Sequence, residues 1–417
     1  MEFWEITLIA GFVLAYALVS KRLETTPLTG PMVFVGFGLL IGAGGLDLTE
    51  IGMDEAAVRT LAEATLVLLL FTDAIRIDLR RLRNQIELPA RLLGIGLPLT
   101  VILGTLVALA VFPDLAVWEA ALLAAILSPT DAALGHAVVA NPRVPVRIRQ
   151  ALNVESGLND GIMLPVITLF LALAAVGIDL ETPGFWTEFV AKQIGFGMAA
   201  GVVAGYGGGR LIREFAGRDW MDGAFRQLAT LAVGVGSFAL AEALHGNGFV
   251  AAFVAGLAFG AAAREHCDGV YDFAEDEGQL LALLTFLFFG TSLAGPALNA
   301  LTVEIALYAV LSLTVIRMGP VALSLVGARL KVPTVAYVGW FGPRGLASIL
   351  FGLFILEEAE LPVADELFLT VIWTVVLSVA LHGATSVWLS ERYASWFAVH
   401  GRKNMEEAAE VDEMPTR

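Results

Sequence analysis

Long apolar stretches follow one another from end to end of this chain of 417 residues, and they restrict its fold more than any other feature. Each stretch has about 17 to 25 residues, enough for a helix to cross a hydrocarbon layer about 30 Å thick. Hydrophobic residues make up 57% of the chain and charged residues only 16%, a balance that soluble globular domains do not show. Because lipid offers no partner to an unpaired backbone, we expect transmembrane helices.

The apolar stretches give about thirteen predicted membrane spans. The first runs from Phe3 to Ser20 and is followed by Lys21 and Arg22, whereas a cleaved signal peptide has its positive charges before the apolar run. We therefore expect a retained first helix. The spans are centred near residues 12, 38, 66, 100, 127, 162, 202, 233, 255, 287, 314, 345 and 380.

The basic residues predict how the chain is oriented in the membrane. About 21 of the 25 Lys and Arg residues lie in every second connection, and the connections between these hold only Arg59. Short loops that are rich in Lys and Arg face the cytoplasm. We therefore predict a multi-pass protein of the cell membrane with its N-terminus outside and its C-terminus in the cytoplasm.

The net charge of −16 arises mainly from acids in short loops and in the tail from Met405 to Arg417. A basic partner could explain such a charge, but we expect a solvated acidic surface. The predicted domains are a transmembrane domain at residues 1–400 and an acidic cytoplasmic tail at residues 401–417. The single cysteine, Cys267, excludes an internal disulfide and a cysteine-rich metal site.

Short segments of the second half of the chain are similar in sequence to segments of the first half at an offset of 218 residues. The segment Gly38 to Gly42 recurs as Gly256 to Gly260. At the same offset, Leu68 to Phe71 falls on Phe286 to Phe289. The offset contains seven spans, so the two copies have opposite orientations, as in the inverted repeats of secondary transporters.

The fifth span, Leu115 to Val139, is interrupted near its centre by Ser128-Pro129-Thr130-Asp131. Proline removes a backbone hydrogen bond and disfavours helix in the residue before it. An interrupted helix frees carbonyl groups that can coordinate a cation in mid-membrane, although a simple proline kink would give the same pattern. Asp131 favours the cation site, because a carboxylate at that depth is costly without a function or a partner.

The sixth span opens with a polar run that ends at Asn159 and Asp160. Glu155 and Asn159 lie one helical turn apart on one face, and Ser156 and Asp160 have the same spacing. Hard cations prefer oxygen ligands, which all these side chains provide. Glu155 is expected to be structural, whereas Asp160 lies deeper in the apolar run and is the stronger candidate for function.

A buried Glu155 needs a positive partner, and three basic residues lie inside or near spans: Lys192, Arg317 and Arg344. Arg344 lies in Gly342-Pro343-Arg344-Gly345, a second predicted helix break close to the repeat position of the first. Two crossed interrupted helices would follow. Asp73 is a further candidate, with an interfacial acid as the alternative.

These motifs together resemble the NhaP-like sodium/proton antiporters of the monovalent cation:proton antiporter superfamily. The resemblance rests on Thr130-Asp131, Glu155-Ser156, Asn159-Asp160, the arginine of Ile316-Arg317-Met318-Gly319 and Gly342-Pro343-Arg344-Gly345. It implies an all-α polytopic membrane protein of about 13 transmembrane helices, in two inverted six-helix repeats with crossed interrupted helices. It also implies a homodimer in membrane lipid.

The resemblance assigns roles to individual residues. It implies that Asp160 binds cation and proton alternately, that Thr130, Asp131 and Ser156 complete the site, and that Glu155 pairs with Arg317. Ala132 departs from the family pattern, because many relatives have proline there. Asn159 stands where other branches have a second acid, which is similar to the electroneutral branch of the family.

The predicted function is antiport of Na⁺, or Li⁺, against H⁺ by competition at the carboxylate site, in the service of pH homeostasis. Potassium/proton exchange is the alternative, since oxygen ligands do not reveal ion size, and a cation channel or sensor is a further one. No His-Glu-x-x-His pair or serine with a buried base indicates an enzyme. Apart from the transported Na⁺ and H⁺ we expect no cofactor, and we expect no nucleic-acid partner.

Overall fold

The structure is a computed structural model that describes residues 3–23, 26–48, 55–131, 134, 138, 141–176, 183–263, 268–358, 361–401, 405–409 and 411. All regular secondary structure in these residues is helical, in agreement with the predicted all-α class. Ala132, Cys267 and the end of the tail lie outside the described residues.

The helices of the first half are α1 Phe3–Leu23, α2 Gly30–Ile41, α3 Glu55–Arg76, α4 Leu79–Asn84, α5 Glu87–Arg91, α6 Leu97–Val111, α7 Val117–Ile126, α8 Val146–Val176, α9 Pro183–Val190 and α10 Gly197–Gly217. Those of the second half are α11 Gly223–Ala243, α12 Gly248–Ala263, α13 Asp268–Phe288, α14 Gly295–Ala297, α15 Val303–Leu313, α16 Val315–Ser324, α17 Val332–Trp340, α18 Leu346–Glu358 and α19 Ala364–His400. Short π-helical turns, Leu92–Gly96, Ala191–Phe196 and Phe289–Ala294, continue α5, α9 and α13.

Among the described residues, seven helical stretches are long and apolar enough to cross a membrane, and three further apolar helices are shorter. The predicted span centres fall within helices or at interruptions between them. The count of thirteen crossings remains a prediction. The apolar window of α1 is 6% buried and that of α19 is 61% buried, so α1 lies at the edge of the bundle and α19 at its centre.

Proline marks the start of two helices. Pro31 and Pro333 lie in the first turn of α2 and α17. A backbone N–H has no intrahelical partner in a first turn, so proline is tolerated there and its fixed φ favours the helix. Further along, Pro165 lies inside α8 and Pro320 inside α16.

The two copies of the repeat pack reciprocally on each other. Gly38 of α2 lies against the backbone of Leu287 on α13, so closely that a Cβ at Gly38 would overlap the Leu287 carbonyl oxygen. Gly256 of α12, its counterpart 218 residues later, lies in the same way against the carbonyl oxygen of Phe71 on α3. Small residues allow such close approach of membrane helices. In each half, a helix with a glycine at the corresponding position therefore packs closely against a helix of the other half, as expected of a duplicated chain.

The described part of the tail packs against the ends of two helices. Glu407 is 1% exposed, and its Oε1 accepts hydrogen bonds from the Lys331 N–H at 2.6 Å and from Thr334 Oγ1 at 2.9 Å. Glu406 pairs with Arg147 on the first turn of α8 at 2.6 Å. The expectation of a solvated acidic surface is therefore wrong at Glu407, because its carboxylate caps the start of α17.

Candidate functional site

The first helix break follows α7. The helix ends at Ile126, and Ser128 to Asp131 are buried but not helical. Ser128 Oγ donates to the carbonyl oxygen of Ala124 at 2.7 Å, while Pro129 has no N–H to continue the helical ladder. The carbonyl groups at the end of α7 are thus left for donors from elsewhere in the molecule.

The second break meets the first directly. It separates Trp340, the last residue of α17, from Leu346, the first residue of α18. The Asp131 N–H donates to the carbonyl oxygen of Pro343 at 2.8 Å, and the Leu346 N–H donates to Asp131 Oδ2 at 3.0 Å. The segment that follows α7 and the break between α17 and α18 therefore touch, in agreement with the predicted crossing. The second half of the predicted fifth span lies mostly outside the described residues.

Each break supplies a charged side chain to a helix end at the other break. The side chain of Arg344 is fully buried, and its Nη1 donates to the carbonyl oxygens of Ser128 and Pro129 at 2.7 and 3.1 Å. The Asp131 carboxylate accepts from the first turn of α18. A cation at a helix C-terminus and an anion at an N-terminus both complement the helix dipole. Arg344 and Asp131, each placed at the opposite break, therefore stabilise both breaks.

Two glycines make this close contact sterically possible. A Cβ at Gly345 would overlap the carboxylate of Asp131, and a Cβ at Gly342 would overlap the guanidinium group of Arg317. In both cases the neighbour is a side chain held by hydrogen bonds, and it has little freedom to move aside. Gly342 and Gly345 are thus required, because any larger residue would overlap Arg317 or Asp131.

The polar face of α8 lies against the first break. Ser156 Oγ donates to the Thr130 carbonyl oxygen at 2.6 Å, and Asn159 Nδ2 donates to Thr130 Oγ1 at 2.7 Å. Asp160 follows directly after Asn159 and one turn after Ser156, and it is half-buried. Thr130 therefore ties the break to the turn of α8 that carries Asp160.

A buried ion pair lies beside this cluster. Arg317 Nη1 and Nη2 donate to the two carboxylate oxygens of Glu155 at 2.5 and 2.9 Å, and both side chains are 3% exposed. The bidentate geometry fixes the relative position of α8 and α16. The sequence left Lys192, Arg317 and Arg344 as possible partners of Glu155, and in the structure Arg317 forms the ion pair with it.

The sequence of this chain matches the family described as sodium/hydrogen exchanger, transmembrane, over residues 8–392. The chain belongs to this family. The match covers both helix breaks, the acidic face of α8 and the arginine of α16.

Several curated proteins are similar in sequence to this chain. The Na⁺/H⁺ antiporter NhaP of Pseudomonas aeruginosa is 29% identical over 413 residues, which is 90% of this chain and 94% of the relative. The K⁺/H⁺ antiporter NhaP of Alkalimonas amylolytica is 27% identical over 343 residues, and the K⁺/H⁺ antiporter NhaP2 of Shewanella oneidensis is 24% identical over 360 residues. These matches cover 81% and 85% of the chain but only 57% and 61% of the two K⁺/H⁺ antiporters' own length.

Two solved structures of one protein have the same fold as this chain. The sodium proton antiporter MjNhaP1 of Methanocaldococcus jannaschii at pH 8 superposes with a TM-score of 0.73 over 93% of this chain and 98% of that one, at 20% identity. A second structure of the same antiporter, from electron microscopy, has a TM-score of 0.76 over 96% of this chain, at 18% identity. The predicted antiporter fold is therefore confirmed.

Some residues at the two breaks were not predicted from the sequence. Ser348 Oγ donates to the Ile126 carbonyl oxygen at 2.9 Å, and Ser378 Oγ accepts from the Arg344 N–H at 2.6 Å. Ser378 in turn contacts His382. The one signal in the sequence is the spacing of a serine and a histidine one turn apart within the apolar helix α19. The predicted residue Asp73 lies half-buried on α3.

Proposed function

We propose that this exchanger transports Na⁺, or Li⁺, against H⁺ by competition of the two ions for Asp160. Asp131, Thr130, Ser156 and Asn159 complete the proposed site. The observation that carries the proposal is the pair of hydrogen bonds from Ser156 and Asn159 to Thr130, because it joins a broken helix to an acid-bearing helix at a buried position. Irregular backbone beside a carboxylate is how secondary transporters bind small cations.

The side chains around Thr130 supply oxygen ligands of the kind that Na⁺ prefers. Asn159 Nδ2 is committed to Thr130, which turns Oδ1 of the same amide away from that contact. Asn159 is 1% exposed, and within the described chain its Oδ1 has no hydrogen-bond partner. A buried oxygen in that state is stabilised by a cation, since an unsatisfied acceptor costs free energy.

Charge supports binding of one ion at a time. Asp131, Glu155 and Asp160 carry three formal negative charges, and Arg317 and Arg344 carry two positive ones. This group of five has a formal charge of −1, which either one monovalent cation or one proton cancels. Because the low-dielectric interior disfavours both an excess and a deficit of charge, we expect one-for-one, electroneutral exchange.

Supporting roles follow from the contacts. Glu155 and Arg317 form a structural ion pair that holds α8 against α16. Arg344 is accessory, since its hydrogen bonds go to the carbonyl oxygens of the first break. Asp73 remains a proposed accessory acid on α3.

The proposed setting is the cell membrane, with the N-terminus outside and the C-terminus in the cytoplasm. The proposed domains are the exchanger domain at residues 1–400 and the cytoplasmic tail at residues 401–417. We expect a homodimer surrounded by lipid, without enzymatic activity, resident cofactor or nucleic-acid partner, that serves pH homeostasis. K⁺/H⁺ exchange is the second candidate, because two of the relatives are named K⁺/H⁺ antiporters.

Reconstituted vesicles test this function. The purified protein is placed in vesicles that hold a proton gradient and a pH-sensitive dye, and NaCl, LiCl or KCl is added outside. We expect Na⁺ and Li⁺ to dissipate the gradient and Asp160→Asn to abolish the response. A response to KCl alone would favour the second candidate. Dissipation without added cation, or a rate that rises without saturation, would indicate a channel and contradict antiport.

A further inference from the structure

Helix α19 has a buried polar pair in an otherwise apolar stretch. Ser378 and His382 lie one turn apart, and they are 0% and 1% exposed. Buried polar groups of this kind are costly within a membrane protein unless their hydrogen bonds are satisfied. The mechanism proposed above uses neither residue.

Hydrogen bonds connect this pair to both ends of the second break. The Arg344 N–H donates to Ser378 Oγ at 2.6 Å, so the hydroxyl proton of Ser378 is available for His382 Nδ1 at 3.2 Å. On the other side of the ring, Nε2 lies 3.0 Å from the carbonyl oxygen of Trp340. Nδ1 also lies 3.1 Å from the Ser378 carbonyl oxygen of the same helix. A ring protonated at Nε2 donates to the Trp340 carbonyl oxygen and accepts from Ser378 Oγ, and this tautomer is assigned from the network.

The ring of His382 acts in this arrangement through its hydrogen bonds. It is buried, and its two nitrogen atoms lie within hydrogen-bonding distance of Ser378 on one side and of Trp340 on the other.

The connected atoms belong to the backbone on either side of the break. Trp340 is the last residue of α17, and Arg344 lies in the break just before α18. The Arg344 side chain continues the connection to the carbonyl oxygens of Ser128 and Pro129, which directly precede Thr130. A displacement of the Arg344 backbone would therefore be transmitted to the loop that carries Thr130 and Asp131.

The geometry points to Ser378 and His382 as a positioning pair, which fixes the spacing of the second break and, through Arg344, the position of the cation-binding loop. This inference rests on the proposed function and deepens it. Neither residue touches the transported ion in this account, and both act through Arg344.

The test compares Ser378→Ala and His382→Ala with Ser386→Ala in the vesicle assay. Ser386 is a matched control, since it is 0% exposed on the same helix and, among the described residues, its Oγ donates to the Gly383 carbonyl oxygen of that helix alone. We expect the KM for Na⁺ to rise about 3- to 10-fold in the first two variants, the effect of one lost hydrogen bond. The control should stay within about 2-fold of the unaltered protein.

Two further readouts separate positioning from general destabilisation. The double variant Ser378→Ala/His382→Ala should have a KM close to that of the worse single variant, because both changes interrupt one chain of bonds. The pH optimum should be unchanged in His382→Ala, since the ring acts through its hydrogen bonds and not as a carrier of protons. A displaced optimum would overturn the inference by making His382 a proton carrier. If His382→Ala does not fold, Ser378→Ala decides alone.

Hydrogen exchange gives a readout that does not depend on transport. Amide exchange across residues 341–346 should be faster in Ser378→Ala, where the Arg344 N–H loses its acceptor, and unchanged in Ser386→Ala. Equal exchange in all three proteins together with an unchanged KM would overturn the inference. If the unaltered protein transports none of the three cations, the proposed function fails instead, and the exchange result still tests the positioning pair.

Discussion

Two arginine–glutamate clusters hold helix α8 at different depths. In its third turn, Glu155 is bound by Arg317, and both side chains are 3% exposed. At its first turn, Arg147 binds Glu87 at 3.1 Å and Glu406 at 2.6 Å, whose side chains are 54% and 37% exposed. The N–O distances overlap, so geometry alone does not rank the two clusters.

The two clusters differ in their exposure to solvent, and this difference predicts which of them contributes more to the free energy of unfolding. An exposed pair keeps most of its hydration, and its attraction is screened by water and salt. A buried pair has lost that hydration, and removal of one partner leaves the other charge stranded in a low dielectric.

The largest effect is expected at the buried pair. Replacement of one partner, Arg317→Ala or Glu155→Ala, should lower the free energy of unfolding by about 3–5 kcal/mol. Thermal unfolding in detergent measures the change. Replacement of both by apolar residues, Arg317→Met with Glu155→Leu, should cost less than either single change. Single variants as stable as the unaltered protein would contradict the account of this pair.

An intermediate effect is expected at Glu407, which is buried although it lies in the tail. Glu407→Ala removes the cap of α17 and should cost about 1 kcal/mol in the same unfolding assay. Glu407→Gln is the matched control, because its amide oxygen can still accept from the Lys331 N–H and from Thr334. Equal stability of all three proteins would show that the tail does not dock in solution.

A smaller effect is expected at the exposed cluster. Arg147→Gln should lower the melting temperature far less than either change at the buried pair, because its partners remain hydrated. The difference should shrink further in high salt, whereas the effect of Arg317→Ala should not. Similar losses at both clusters, measured at low and high salt, would refute the ranking by solvent.

The smallest effect is a pH dependence at Glu406. Arg147 donates a hydrogen bond to the Glu406 carboxylate and attracts it by charge, so the pKa of Glu406 lies below its ordinary value of 4.5. A carboxyl group with a lowered pKa stabilises the fold above its ordinary pKa and loses that contribution as the pH falls through the lowered value. The difference in melting temperature between the unaltered protein and Glu406→Gln should therefore be constant above pH 4.5 and vanish in more acidic solution. A difference that grows as the pH falls would have the wrong sign.

The same two regions show what the sequence could predict. The breaks follow from Pro129 and Pro343 in apolar spans, and the acids of α8 from their spacing, since these are local properties of the chain. The partner of Glu155 is not local: Lys192 instead pairs with Glu188 on its own stretch of helix at 2.5 Å, and only the packing of α8 on α16 selects Arg317.

Other features depend on contacts that form only in the folded chain. Ser378 and His382 bind backbone atoms that become available because α17 is interrupted, so their role has no local signature beyond their spacing. Glu407 looks like any acid of a charged tail until Lys331 and Thr334 are placed beside it. The sequence thus predicts where polar groups enter the membrane region better than which groups they meet.

If one carboxylate holds either a proton or a cation, then binding of a cation must set a proton free, and this release can be measured. NaCl or LiCl is added to the detergent-solubilised protein in weak buffer near neutral pH, and a pH-sensitive dye reports the protons set free. We expect release of at most one proton per chain, lost in Asp160→Asn and kept in the control Glu406→Gln, whose carboxylate lies in the tail beside Arg147. Undiminished release from Asp160→Asn would contradict the account.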